Sequence, residues 1–205
     1  MTRAGTGLVA ILRGVPPEDV VALGEVLVVE GFAAVEVPLN SPDPFTSVHR
    51  LADACGDRCV VGAGTVLTVA DVDRARDAGA RMIVSPNSDP RVISAAVERG
   101  LRPYPGAATP TEAFAALAAG ARNIKLFPSD AVGIGGMKAW RAVLPADVEL
   151  LPVGGVDETN LGAWAAAGAG GAGLGSCLYR PGDGPDVVRT RARVLRTAWT
   201  SEGAP

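Results

Sequence analysis

The chain has 205 residues, 48% of them hydrophobic, and carries 19 basic against 22 acidic side chains for a net charge of −3. A domain of this length buries roughly 70% or more of the surface its unfolded chain exposes, so a core needs neither disulfides nor metal. The balanced charge offers no basic block to nucleic acid, and no run approaches the ~20 apolar residues that span a bilayer, so neither partner is expected.

The first apolar run, residues 8–12, is shorter than a signal-peptide core of about 7–15 residues, which predicts a cytoplasmic protein. Cys55, Cys59 and Cys177 are odd in number and lack a matching second ligand pair, so they read as small buried or half-buried thiols, with no disulfide framework and no zinc site. His49, the sole histidine, lies in a polar helical stretch and reads as a solvated residue. Hydrolysis through a histidine base or through zinc-binding histidines is thereby disfavoured.

The chain then alternates short β-type runs with longer helical ones. A strand at residues 8–13 precedes a helix from near Pro17, a strand at 33–39 a helix from Pro44, a strand at 59–65 a helix from Ala70, and a strand at 81–86 a helix from Pro90. The second half repeats the pattern: 101–105 with a helix from Pro110, 123–127 with one from Gly136, 149–153 with one from Glu158, and 170–174 with one from Asp186. Thr109-Pro110-Thr111-Glu112 reads as a capping box with proline in the first turn, and Asp89-Pro90 and Asp157-Glu158 are weaker forms of the same signal. Gly31, Gly79, Gly100, Gly120 and Gly168 each follow a helical run, where a left-handed residue stops the helix.

Strand starts recur every 20 to 26 residues, the length of one strand, one helix and two tight loops. Eight such units in an α/β chain of this size predict a single closed (β/α)8 TIM barrel over residues 1–205, with residues 201–205 fraying. An open doubly wound sheet is the alternative, disfavoured because it leaves two exposed edges and because no Gly-x-Gly-x-x-Gly fingerprint follows the first strand.

In a barrel the site lies at the C-terminal ends of the strands. Only two of the 19 basic residues are lysines. Lys138 falls in a helical stretch, whereas Lys125 stands in a strand between Ile124 and Leu126, where a charged amine is costly to bury unless it is paired or deprotonated. A lysine in apolar surroundings can attack a carbonyl as a neutral amine, which a guanidinium cannot. Glu36, between Val35 and Val37, points inward by the same alternation and is placed to move protons. For both residues a second reading stays open: a structural ion pair, Lys125 with Glu36 or Glu36 with Arg13, or a lysine that binds phosphate. Glycines after the seventh and eighth strands, Gly154-Gly155 and Gly173-Leu174-Gly175-Ser176, point to a phosphorylated small-molecule substrate, the other reading being that they only make tight turns.

Eight ordered segments carry a resemblance: AILRG at 10–14, VEVPLNSP at 35–42, GAGTVL at 62–67, VSPN at 84–87, PGAATPTEAF at 105–114, IKLFPS at 124–129, PVGGV at 152–156 and GLGS at 173–176. Together they resemble the pyruvate-forming class I aldolases of the 2-dehydro-3-deoxy-phosphogluconate and phosphogalactonate group. EVPLNSP and Val153 before the glycine pair look more like the phosphogalactonate branch. The resemblance implies Lys125 as the Schiff-base lysine, Glu36 as the proton-transfer group, and Arg13 and Thr65 around the pyruvyl carboxylate and nearby oxygens. It implies Val153, Gly154, Gly155, Gly175 and Ser176 as substrate-binding, the glycines and the serine around the phosphate.

The expected reaction is reversible cleavage of 2-dehydro-3-deoxy-6-phosphogalactonate to pyruvate and glyceraldehyde 3-phosphate, with no metal and no cofactor, in a homotrimer. Residues 130–134 depart from the group in lacking an aromatic residue near the substrate. The alternatives are the gluconate-series enzyme or a promiscuous relative, a phospho-sugar isomerase or epimerase, and a non-catalytic phosphate-ligand binder.

Overall fold

A strand whose two faces are both apolar must be covered on both sides, and that requirement organises this chain. The computed structural model describes residues 6–200; the tail expected to fray, 201–205, lies outside them. The strands are β1 (Gly7–Ile11), β2 (Ala34–Pro38), β3 (Val60–Gly64), β4 (Met82–Val84), β5 (Arg102–Tyr104), β6 (Gly106–Ala107), β7 (Asn123–Leu126), β8 (Glu149–Pro152) and β9 (Gly171–Leu174). Among the described residues there are eight helices: α1 (Val20–Val29), α2 (Pro44–Cys55), α3 (Val69–Asp77), α4 (Pro90–Glu98), α5 (Pro110–Ala118), α6 (Ser129–Arg141), α7 (Leu161–Ala166) and α8 (Pro185–Thr200).

Every strand pairing is parallel. Six strands run in the order β5-β4-β3-β2-β1-β9, and three in the order β6-β7-β8. The fifth expected strand is thus divided into β5 and β6 at Pro105, which has no N–H for a ladder. Its carbonyl still accepts the Lys125 N–H at 2.9 Å. At the other border, Val153 bridges Gly173, and the Gly170 N–H donates to the Leu150 carbonyl at 3.1 Å. The result is a curled parallel sheet in two hydrogen-bonded sections with eight helices.

Two apolar layers follow from the curl. The larger lies between strands and helices and includes Leu12, Leu23, Leu51, Ile93, Ile124 and Leu161. The smaller lines the concave face with Val9, Ala34, Met82, Val84, Tyr104 and Leu151. Strand β3 contributes glycine to this inner face for want of room. A Cβ at Gly62 would stand 2.9 Å from the Met82 Cε, and one at Gly64 would overlap the Glu36 carboxylate. At the N-terminal end of the strands Thr6 Oγ1 shares a hydrogen bond of 2.9 Å with the Tyr104 hydroxyl and donates to the Glu149 carboxylate.

Local signals explain most helix boundaries. In the capping box Thr109 Oγ1 accepts the Glu112 N–H at 3.3 Å, while the Glu112 carboxylate accepts the Thr109 N–H at 2.9 Å. Asp89 Oδ1 accepts the Arg91 N–H at 2.9 Å. Gly31, Gly79, Gly100, Gly120 and Gly168 have φ between 72° and 103°, the left-handed conformation expected of them.

Three starts differ from the sequence reading. Residues before α1 and α7 form tight turns, so these helices begin at Val20 and Leu161 instead of near Pro17 and Glu158, and Asn160 replaces Asp157 as the residue before α7. Helix α6 begins at Ser129, directly after the lysine strand, and is broken at Gly133 (φ 69°, ψ 165°); the pattern from Gly136 registers only its second piece. No helix among the described residues is long and apolar enough to cross a membrane.

The capping box gives a stability prediction. Thr109→Ala removes one of two reciprocal hydrogen bonds and should lower the unfolding free energy by about 0.5–2 kcal/mol, read from urea midpoints. An unchanged midpoint would show that the cap contributes nothing to this fold.

Candidate active site

Burial decides the chemistry of the two ionisable groups on the inner face. Lys125, in β7, pairs with Gly106 of β6 and Leu151 of β8 and is 8% exposed. Its Nζ lies 4.4 Å from the centre of the Phe127 ring, two residues along the same strand face. Glu36, in β2, stands opposite Ile11 of β1 and Gly62 of β3 and is 2% exposed. Its Oε2 is buried with no hydrogen-bond partner among the described residues.

Desolvation penalises the charged form of each group. It pulls the Lys125 ammonium below the usual lysine range, an effect that Glu36 opposes and Arg13 reinforces. It pushes the Glu36 carboxyl up to about 7, against the pull of Lys125 and then of Arg13. A neutral amine and a protonated carboxyl are therefore both more accessible near neutral pH than in water.

These groups line a narrow inner cavity of about 20 Å³ with Met82, Tyr104 and Leu151. Ile11, Val153 and Gly173 belong to its wall and also to the wall of a wider outer cavity of about 360 Å³. Arg13, Gly154, Gly155, Gly175 and Ser176 line the outer one. The structure thus brings Lys125 and Glu36 to one cavity, five sequence-selected residues to the next, and Val153 to both. Thr65 lines neither. It sits just beyond β3 with φ 57°, beside the Gly64 that touches Glu36.

The glycine loops differ from the sequence reading in one respect. Gly154 and Gly155 (φ 90° and 73°) are followed by a turn, and α7 starts only at Leu161; Gly175 begins a single helical turn, closed by the Leu178 N–H to its carbonyl at 2.8 Å, well before α8. Neither loop runs directly into α7 or α8. The anion-binding potential comes instead from backbone N–H groups of Gly154, Gly155, Gly175 and Ser176, which no acceptor among the described residues takes. Their carbonyl side is tied down: Ser129 Oγ donates to Gly154 O, and Asn160 Nδ2 to Gly155 O at 2.8 Å.

Several residues at the mouth escaped sequence reasoning. Arg13 Nη1 donates to Asn40 Oδ1 at 2.6 Å, and the Gly14 N–H donates to Ser41 Oγ at 2.9 Å, so the loop after β2 holds the loop after β1. Phe127 was open to discovery as the i+2 neighbour of Lys125. Arg180 carried no signal, being one arginine among 17. His49 is a solvated residue of α2, its side chain 62% exposed and 3.5 Å from Asp53, and Lys138 is exposed on α6. Among the described residues no group of three or more His, Cys, Asp or Glu side chains is arranged to hold a metal ion.

Comparison with known proteins bears on this arrangement. The KDPG and KHG aldolase family matches residues 3–189. The chain belongs to that family. It is 50% identical over 192 residues to a Rhizobium meliloti (strain 1021) protein named probable 2-dehydro-3-deoxy-6-phosphogalactonate aldolase, covering 94% of this chain and 91% of the relative. It is 46% identical over 192 residues to the Escherichia coli (strain K12) 2-dehydro-3-deoxy-6-phosphogalactonate aldolase, covering 94% of each. The solved native KDPGal structure superposes with a TM-score of 0.93 at 45% identity over 95% of both chains. Like the rest of its family, this aldolase is a carbon–carbon lyase.

The raised Glu36 carboxyl has a measurable consequence. Folding takes up a proton at Glu36, so its contribution to stability is present below pH 4.5 and is lost as pH rises through about 7. Carbon-detected NMR titration of the aldolase should find this carboxyl changing near pH 7. Lys125→Met, which removes the amine that holds it down, should move the midpoint higher. A midpoint near 4.5 in both proteins would refute the burial argument.

Proposed function

We propose that this chain is a class I, Schiff-base aldolase that reversibly cleaves 2-dehydro-3-deoxy-6-phosphogalactonate to pyruvate and D-glyceraldehyde 3-phosphate. One observation carries the reading: a buried amine with its ammonium form disfavoured, in a cavity whose wall continues to the glycine loops.

Lys125 Nζ adds to the C2 ketone to give a carbinolamine, and loss of water leaves a protonated imine. The imine draws the electron pair of the C3–C4 bond as Glu36 takes the C4 hydroxyl proton, releasing glyceraldehyde 3-phosphate and an enamine. Reprotonation at C3 and hydrolysis return pyruvate and the free amine. The Glu36 carboxyl, pushed up to about 7 and with Oε2 unpartnered among the described residues, supports the proton-transfer role.

In this reading Arg13 takes the pyruvyl carboxylate, Val153 packs along the substrate between the two cavities, and Gly154, Gly155, Gly175 and Ser176 take the phosphate through their N–H groups. Thr65 serves the pyruvyl oxygens, a role supported by its neighbour Gly64 touching Glu36. That two relatives are named 2-dehydro-3-deoxy-6-phosphogalactonate aldolases supports that substrate over its C4 epimer.

The same reading takes residues 1–205 as one domain whose strands close into an eight-stranded barrel, supported by the contacts at Pro105 and at Val153–Gly173. It takes the enzyme as a cytoplasmic homotrimer. Free Cys55, Cys59 and Cys177 suit a reducing compartment, and the exposed Leu67, Val69 and Phe114 offer apolar surface for assembly.

Borohydride reduction with pyruvate should convert Lys125 to its N-carboxyethyl derivative, located by peptide mass spectrometry; recovery of unmodified Lys125 from folded protein would remove the Schiff-base mechanism. Glu36→Gln should lower turnover of the phosphogalactonate substrate by about 10²–10⁴-fold. Assay of both C4 epimers with the wild-type enzyme should give the larger kcat/KM for the galactonate series.

A further inference from the structure

The outer cavity has an unassigned cation. Arg13 lines it, bonded to Asn40, and its charge is felt by both Lys125 and Glu36. The glycine loops of the same cavity present neutral N–H groups, which orient an anion without neutralising it. Arg180 also lines this cavity, four residues past Ser176.

Its Nε donates to the Ser176 carbonyl at 3.1 Å, which turns the guanidinium toward the loop. Its two Nη groups have no acceptor among the described residues. The nearby carboxylate of Asp183 accepts the Arg180 backbone N–H at 2.8 Å, but its ion pair, at 2.5 Å, is with Arg191. The next residue, Pro181, is pressed against Gly14 (φ 80°), its Cγ 2.8 Å from where a Cβ on that glycine would stand, so the backbone carrying Arg180 is wedged against the loop after β1.

We infer that Arg180 is the counter-ion of the substrate phosphate and the residue by which this enzyme discriminates phosphorylated from unphosphorylated aldehydes. The inference rests on the aldolase reading and adds to it a residue that neither motif nor resemblance singles out. A guanidinium held by Nε with both Nη groups open offers the two parallel N–H donors that phosphate oxygens accept, and a charge-assisted pair of this kind exceeds what neutral N–H groups supply. Together with Arg13 it gives the cavity two guanidinium groups, the number of cations that a carboxylate-and-phosphate substrate requires.

The test compares wild-type, Arg180→Ala and Arg180→Lys enzymes in the synthetic direction, with pyruvate and either D-glyceraldehyde 3-phosphate or D-glyceraldehyde. The ratio of kcat/KM for the phosphorylated over the unphosphorylated aldehyde should fall about 10- to 100-fold in Arg180→Ala and recover in part in Arg180→Lys. Binding of inorganic phosphate, titrated calorimetrically into the resting enzyme, should weaken in parallel. An unchanged ratio with unchanged phosphate binding overturns the role of Arg180, and so does equal loss with both aldehydes. Borohydride trapping of pyruvate on the wild-type enzyme separates the two claims: trapping at Lys125 with no effect at Arg180 leaves the aldolase reading standing and removes only this one.

Discussion

Everything at the site depends on holding an amine and a carboxyl together on the concave face of an otherwise apolar sheet. Burying either alone is expensive, and the two offset one another only in part, Glu36 Oε2 having no hydrogen-bond donor among the described residues. The opposing shifts express that incomplete compensation: burial moves Lys125 down and Glu36 up, while their mutual attraction restrains each. Strand β3 tolerates the carboxylate because Gly64 has no Cβ to collide with it. A structural ion pair would gain by hydrogen-bonding every oxygen, and the incomplete compensation leaves Lys125 shifted down and Glu36 shifted up, as proton-transfer chemistry requires.

Polarity is graded along the two cavities. The inner one is walled chiefly by Val9, Met82, Tyr104 and Leu151 around the reactive pair, whereas the outer one adds the Arg13 and Arg180 guanidinium groups and the glycine loops to a wall that still includes Phe127, Val156 and Tyr179. Ile11, Val153 and Gly173 join them. Gly173 makes that junction, since a Cβ there would stand 2.7 Å from the Val153 side chain. A substrate with a reactive keto acid end and a charged remote end fits such a gradient in one orientation.

The mouth is held by contacts between loops that follow different strands. Asn40 holds Arg13, Ser41 holds Gly14, and Pro181 packs on Gly14, while within the loop after β9 Arg180 reaches back to Ser176. Ser129 and Asn160 tie down the other glycine loop from two further elements. Binding groups on loops are otherwise free to move, and this cross-bracing supplies the preorganisation that positions them.

What the sequence determined by itself is whatever local physics dictates. The β/α alternation follows from apolar spacing, the helix ends at Gly31 or Gly168 from a conformation that favours glycine, and the Thr109 cap from a hydrogen bond spanning three residues. Lys125 and Glu36 stood out because a charged residue between aliphatic neighbours on a strand is anomalous in any fold. Tertiary structure decided the rest: the break at Pro105, the start of α6 at Ser129, the separation of the glycine loops from the starts of α7 and α8, the exclusion of Thr65 from both cavities, and the arrival of Asn40 and Arg180 at the mouth. Each of these depends on neighbours far along the chain, such as Gly14 under Pro181, and a pattern of nearby residues carries no record of such a meeting until the sheet has curled and brought the strand ends together.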